Sequence, residues 1–246
     1  KAGTMVPAEA AVEVKGQALP YVSRGGLKLE KALHVFGWSP EDVVALDIGA
    51  STGGFTDCLL QHGAKKVYAV DVGYGQLDWK LRNDERVVVM ERTNARALTR
   101  DHLPELVDWV VIDVSFISLA KIFPAASDLL KPGGRLVCRV KPQFEAGPER
   151  VGAKGVVSDP AVHEDVLMGV LASLVETGFI VEHMTYSPVR GPQGNIEYLV
   201  GAMWPYDAAV DGKEHAEDTA AGADRPVWRD YWTRLVRETV AHAHAA

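Results

Sequence analysis

The chain has 246 residues, with 26 Lys and Arg against 33 Asp and Glu, a formal net charge of −7, and 47% hydrophobic residues. This is the size and composition of one soluble α/β domain with appendages; no apolar run approaches the ~20 residues of a membrane span, and no signal-peptide pattern opens the chain. The acidic balance weighs mildly against a nucleic-acid partner without excluding one, because a local basic surface binds phosphate whatever the total charge.

Residues 1–20 (KAGTMVPAEAAVEVKGQALP) read as a short strand pair ending in Pro20, without the apolar content of a domain. The sequence opens on Lys1 rather than Met, and a segment upstream is expected. A helix follows over 23–38, where Leu29, Ala32, Leu33 and Phe36 make an apolar face at helical spacing, with Lys28 and Lys31 off that face. Strand-like runs come at Val43–Ile48, Lys66–Val72, Val87–Glu91, Trp109–Val114, Arg135–Val140, Phe179–Met184 and Ile196–Met203. Helical patterns at about 54–62, 76–82, 100–106, 118–130 and 161–177 separate the first six. The alternation predicts an α/β fold with a doubly wound, mainly parallel sheet of seven strands. Only Thr185–Asn195 joins the last two, too short for a helical crossover, so the seventh strand is expected to run antiparallel. The core domain then spans 21–205. Polar, Ala/Asp-rich residues 206–226 read as a mobile linker, and 227–246 as a final helix docking through Trp228, Tyr231, Trp232, Leu235 and Val236. Cys58 and Cys138 read as buried free thiols without metal-ligand partners, which fits a reducing cytoplasm.

The segment Val43–Phe55 (VVALDIGASTGGF) carries the most information. A buried parallel strand ends in an acid, and a glycine-rich turn leads into a helix. Gly49 and Asp71, the acid closing the second strand, stand 22 residues apart, close to the roughly 20 at which an acid meets a nucleotide ribose. An adenosine-bearing cofactor is therefore expected. A dehydrogenase would show G-x-G-x-x-G; here the pattern is Asp47-x-Gly49-x-x-x-Gly53-Gly54. An Asp aimed into the site repels a pyrophosphate and suits a ligand with an α-ammonium or a sulfonium, and S-adenosylmethionine has both. The alternative is an ordinary strand-to-helix turn with Asp47 as a cap. On the cofactor reading, Asp47, Gly49, Ala50, Ser51, Gly53, Gly54 and Phe55 form the turn's side of the site. Asp71 and Val72 reach the ribose, Asn94 the adenine edge, and Asp113 the centre; a plain surface loop is the other reading of Asn94.

Ligands of doubly wound sheets lie at the carboxyl ends of the strands. Asp113 ends the fourth strand, Lys141 ends the fifth, Glu197 opens the antiparallel seventh, and Lys28 covers the site from the preceding helix. Lys141 is assigned as base on a ribose 2′-hydroxyl, its proton affinity lowered by burial and neighbouring cations, with Lys28, Asp113 and Glu197 positioning and polarising. From spacing alone the four read equally well as separate surface salt-bridge residues. Asp113 is followed by Val114-Ser115-Phe116, not the Pro-Pro-aromatic turn of exocyclic amine methylases, and neither cysteine is placed as a carbon-5 nucleophile. Oxygen methylation remains. In the Gly/Pro loop Lys141–Ser158, Arg150 and Lys154, with Arg24 and Arg190, form a candidate phosphate-contacting rim, or are solvated loop charges. Phe144 or Phe116 is a candidate to stack on a base, with core packing preferred for Phe116.

The segments YVSRGGLKL, LDIGASTGGFT, VDVGYGQL, RTNAR, DVSFISL, VKPQFE and GPQGNIEY, in that order over about 1–204, resemble the TlyA family, hemolysin A-type proteins with an FtsJ-like methyltransferase domain. The resemblance implies that Lys28, Asp113, Lys141 and Glu197 are the Lys-Asp-Lys-Glu tetrad of ribose 2′-O-methyltransferases. It also implies a cytidine of small- or large-subunit ribosomal RNA as substrate. Family members begin with an S4-type RNA-binding domain, of which KAGTMVPAEAAVEVKG resembles only the tail. Poor cofactor binding and weak methylation of intact subunits are expected of such a chain. The family's older name raises a cytolysin as the alternative, which calls for a membrane-active segment and an export signal, neither visible in the sequence. A cofactor-binding domain without turnover is the third reading, against which the intact tetrad argues.

Overall fold

The computed structural model describes residues 5, 7, 9, 19–206 and 225–246, the side chains of 225–227 excepted. The strand pair expected at 1–20 and the linker expected at 206–226 fall almost wholly outside the described residues. Helix α1 (Gly25–Phe36) leads into β1 (Val44–Ile48), α2 (Gly54–Gln61), β2 (Lys66–Val70), the single turn α3 (Trp79–Arg82), β3 (Val87–Met90) and β4 (Val107–Ile112). The chain continues through α4 (Phe123–Leu129), β5 (Leu130–Val140), the short α5 (Pro142–Glu145), α6 (Pro160–Thr177), β6 (Ile180–Tyr186), β7 (Tyr198–Met203) and α7 (Arg225–Ala245).

The seven strands form one sheet in the order β3-β2-β1-β4-β5-β7-β6. β1 pairs in parallel with both β2 and β4, and β7 runs antiparallel to β5 and β6. All five residues of β1 are buried, as a central parallel strand covered on both faces requires. One face packs against α4, α6 and α7 around Phe123, Leu171 and Tyr198; the other packs against α1 and α2 around Leu29, Phe55 and Leu59. The strand order reverses between β1 and β4, and the carboxyl-end crevice at such a reversal is where doubly wound sheets take ligands.

Local chemistry sets the remaining differences from expectation. The helix expected at 100–106 is only a 3₁₀ turn, Arg100–His102, because Pro104 removes a donor and clashes with the preceding turn. The pattern at 118–130 divides into a 3₁₀ turn, Leu119–Lys121, and α4 with Pro124 in its first turn. β5 starts at Leu130 rather than Arg135 because Leu130 pairs with Val107 ahead of an irregularity in the β4 ladder. Helix α7 docks on α6 and β6, burying Trp232, Val236, Val240 and Ala243, while Tyr231 is turned outward. Both cysteines are free and buried. Among the described residues no helix is long and apolar enough to cross a membrane.

Candidate active site

The turn after β1 brings bare backbone to the crevice. Gly49, at φ +85°, and Ala50 both donate their N–H groups to Val70 O, at 2.9 and 3.0 Å. A Cβ on Gly49 would lie 2.8 Å from Asp113 O, so any larger residue would push apart the β1 and β4 ends. Asp71 ties the turn to β2: Oδ2 accepts from Ser51 N at 2.8 Å and Oδ1 from Gly73 N at 2.7 Å.

Three cavities meet at this point. The first, of about 170 Å³, lies between the start of α1 and the turn, lined by Gly25, Gly49, Ala50, Ser51, Gly54, Phe55, Asp113 and Arg139 among others. The second, of about 530 Å³, runs over the ends of β1, β2 and β4 and includes Asp71, Val72, Asn94 and Asp113, with apolar Val70, Ile117 and Ile122. The third, of about 610 Å³, is lined by Asp113, Arg139, Lys141 and Glu197 below and by Phe116, Phe144 and Lys154 at its mouth. Ser51 and Asp113 line all three.

Two expected cofactor residues do not reach these cavities. Gly53, at φ +97°, packs on Leu77 and Leu81, where a Cβ would lie 2.2 Å from Leu81 Cδ1. Asp47 is fully buried beneath the turn. Its Oδ2 accepts from Thr56 Oγ1 at 2.6 Å, and its Oδ1 has no partner. Burial pushes its pKa up to about 7, against the hydrogen bond from Thr56. Asn94 spends its side-chain oxygen capping the 3₁₀ turn Ala95–Ala97, through Arg96 N at 3.1 Å.

Lys28, Asp113, Lys141 and Glu197 gather in one cluster, joined by a residue that sequence reasoning missed. Lys28 Nζ lies 2.6 Å from Glu197 Oε2. Arg139 spans the two acids: Nε and Nη2 donate to Glu197, the former at 2.8 Å, and Nη1 donates to both Asp113 oxygens at 2.8 and 2.7 Å. Lys141 Nζ completes the chain at 2.7 Å from Asp113 Oδ1, and also donates to Val114 O and Ser115 Oγ, each at 2.8 Å. The signal for Arg139 was available: it stands two residues before Lys141, hence on the same face of β5, inside an apolar run where an unpaired cation would not be tolerated. Lys28, off the apolar stripe of α1, is nevertheless buried, because α1 lies against β7 and Glu197 accepts it there.

The cluster sets proton affinities. Burial lowers the Lys28 pKa, helped by the Arg139 charge and opposed by Glu197. Burial likewise lowers that of Lys141, with Asp113 opposing and Arg139 adding to the depression. For Asp113, burial works upward, and the charges of Arg139 and Lys141 outweigh it, leaving its carboxyl below the usual value.

Phe116 corrects the sequence reading. It is 89% exposed, not core, with φ +64°. β4 ends at Ile112, and the left-handed backbone throws the ring over the mouth of the cavities, its centroid 4.7 Å from that of Phe144. Of the four rim cations, Lys154 alone lines one of these three cavities. Arg24 is exposed at the start of α1. Arg150 is held by Ala146 O at 2.7 Å and by Asp165 at 3.3 Å. Arg190 lies toward α7, where its charge helps lower the His244 pKa behind the larger effect of burial. These four do not form a single rim.

Residues 21–204 match the FtsJ-like methyltransferase family. The chain is 52% identical over 219 residues to the "Putative rRNA methyltransferase YqxC" of Bacillus subtilis, covering 89% of this chain and 78% of that one. It is 47% identical over 193 residues to the 16S/23S rRNA (cytidine-2′-O)-methyltransferase TlyA of Mycobacterium tuberculosis, covering 78% and 72% respectively. The fold also matches the crystal structure of Aeropyrum pernix fibrillarin with natively bound S-adenosyl-L-methionine, with a TM-score of 0.53 at 17% identity over 73% of this chain and 76% of that one.

Proposed function

The chain belongs to the FtsJ-like methyltransferase family, in its TlyA branch, and from that premise we propose that it methylates the ribose 2′-hydroxyl of a cytidine in ribosomal RNA, using S-adenosylmethionine. One observation carries the chemistry: the unbroken chain Lys28–Glu197–Arg139–Asp113–Lys141 at the meeting of the three cavities.

The residues present suit the cofactor. The bare turn at Gly49 admits it closely. Asp71 offers a carboxylate and Asn94 its side-chain amide N–H beside an apolar floor for an adenosine. The one cation of the first cavity, Arg139, is neutralised by two carboxylates, which favours a cationic ligand over a pyrophosphate. When bound, S-adenosylmethionine supplies an electrophilic methyl group on a sulfonium. The third cavity takes the nucleotide. Lys141 Nζ, its proton affinity lowered by burial, takes the proton of the 2′-hydroxyl, and Asp113 holds that nitrogen in place. Lys28 and Arg139 stay charged against Glu197 and fix the geometry. Lys154 meets phosphate, and the exposed Phe116–Phe144 pair offers a face on which a base stacks.

The test is transfer of tritium from labelled S-adenosylmethionine to intact ribosomal subunits, followed by nucleoside mapping. Label on a cytidine ribose is expected; label on a base overturns the assignment. A lysis assay with wild-type and Lys141→Ala protein addresses the cytolysin alternative, for which equal lysis by both would speak.

A further inference from the structure

A second buried polar cluster lies behind the loop that roofs the third cavity. The loop makes a tight turn, with Gly152 N donating to Val156 O at 3.0 Å and Gly155 N to Gly152 O at 2.8 Å. Side chains then take both backbone groups of Val157. Its N–H donates to Asn195 Oδ1 at 3.0 Å, and its carbonyl lies 2.9 Å from His163 Nε2. A carbonyl only accepts, so Nε2 carries the proton and Nδ1 accepts from the Tyr198 hydroxyl at 2.6 Å. Asn195 Nδ2 donates to Gly155 O at 2.8 Å. Asn195, His163 and Tyr198 are all within 1% of full burial, and none lines the cavity.

This cluster is connected in two directions. Asn195 and Tyr198 flank Glu197, so one stretch of chain holds both the loop and the ion chain. On the other side, the His244 ring at the end of α7 sits 4.9 Å from that of His163, with its Nε2 buried and unpartnered. Arg237 and Glu164 also join α7 to α6 at 3.5 Å.

We propose that His163 and Asn195 are positioning residues that clamp the loop 151–158 over the substrate cavity, and that α7 backs the clamp through His244, so that a helix remote from the chemistry sets the affinity for RNA. This rests on reading the third cavity as the RNA site. Val151, Lys154 and Gly155 of the loop line that cavity. A loop with three glycine or alanine residues between Gly152 and Gly155, once unclamped, samples many conformations, and ordering it again on binding costs affinity.

Hydrogen exchange of the full chain tests the clamp without reference to activity. In Asn195→Ala and His163→Leu, amides from Gly155 to Val157 exchange about tenfold faster, the effect of losing one buried hydrogen bond, while β1 and β4 amides keep their wild-type rates. His163→Gln keeps a donor near the Nε2 position and restores protection. His244→Ala speeds exchange of the same loop amides; no change there overturns the part assigned to α7. In methyl transfer, KM for ribosomal subunits rises about tenfold while kcat stays within about twofold. Unchanged loop exchange, uniform acceleration across the sheet, or a fall in kcat at constant KM overturns the clamp. A wild-type chain that transfers no methyl group would sink the functional reading instead, and leave the exchange result standing.

Discussion

Replacing Arg139 with Gln strikes the centre of the ion chain. With all members charged, the cluster holds three cations against two carboxylates; with Lys141 neutral, it balances. The substitution leaves Asp113 and Glu197, with side chains 17% and 0% exposed, sharing only Lys28 and Lys141. Removing one partner of a buried ion pair costs about 3–5 kcal/mol. Because Asp113 is partly solvated and both lysines remain, a loss on the order of 3 kcal/mol is expected at pH 7, read as a lower urea midpoint by tryptophan fluorescence. The deficit depends on pH. In the wild type the Asp113 pKa lies below its ordinary 3.8, so its stabilisation is present above that value and lost only as pH falls through the lower folded one. In the variant the main depressing charge is gone, Asp113 neutralises sooner, and the gap between the two proteins narrows as pH falls from 7 toward 4. Activity moves too: without the Arg139 charge Lys141 holds its proton more firmly, and the ascending, acid-side limb of the pH–rate profile shifts to higher pH. A loss below about 1 kcal/mol, as for a surface pair, or an unmoved limb would refute the reasoning.

Asp47→Asn is expected to stabilise the protein at pH 8. With its folded pKa at about 7 against an ordinary 3.8, the wild-type carboxyl subtracts stability as pH rises between those values, on the order of 2–4 kcal/mol; thermal melts should show the variant's advantage at pH 8 and not at pH 4. Phe116→Ala should leave stability within about 0.5 kcal/mol, since the ring lies in solvent. The same variant should lower kcat/KM for ribosomal RNA about 5- to 100-fold through lost stacking, measured by steady-state transfer; an unchanged kcat/KM would remove the ring from RNA capture.

The sheet was legible because hydrophobic runs that end in acids carry their own geometry. Val43–Ile48, apolar apart from Asp47 near its end, could only be central, and the short link Thr185–Asn195 forced the reversal of β7. The gathering of Lys28, Asp113, Lys141 and Glu197 followed from the rule that strand ends share an edge. Arg139 was within reach of the same logic, being two positions before Lys141. What stayed hidden depends on angles rather than order. The left-handed backbone of Phe116 turns a ring expected in the core out to solvent, since no local pattern marks a positive φ outside glycine. The depth of Asp47 is set by how α2 lies over β1, which brings Thr56 to its carboxylate. The rim cations scatter because Arg150 is held locally by Ala146 O and by Asp165, while Arg190 lies toward α7.

The most direct test of the ion chain as catalytic machinery is single-turnover transfer from S-adenosylmethionine to ribosomal subunits by wild-type and Lys141→Ala protein, both saturated with donor and RNA. Loss of the base should slow the rate by about 10²–10⁴-fold while S-adenosylmethionine affinity stays unchanged. Transfer by Lys141→Ala at the wild-type rate would contradict the account.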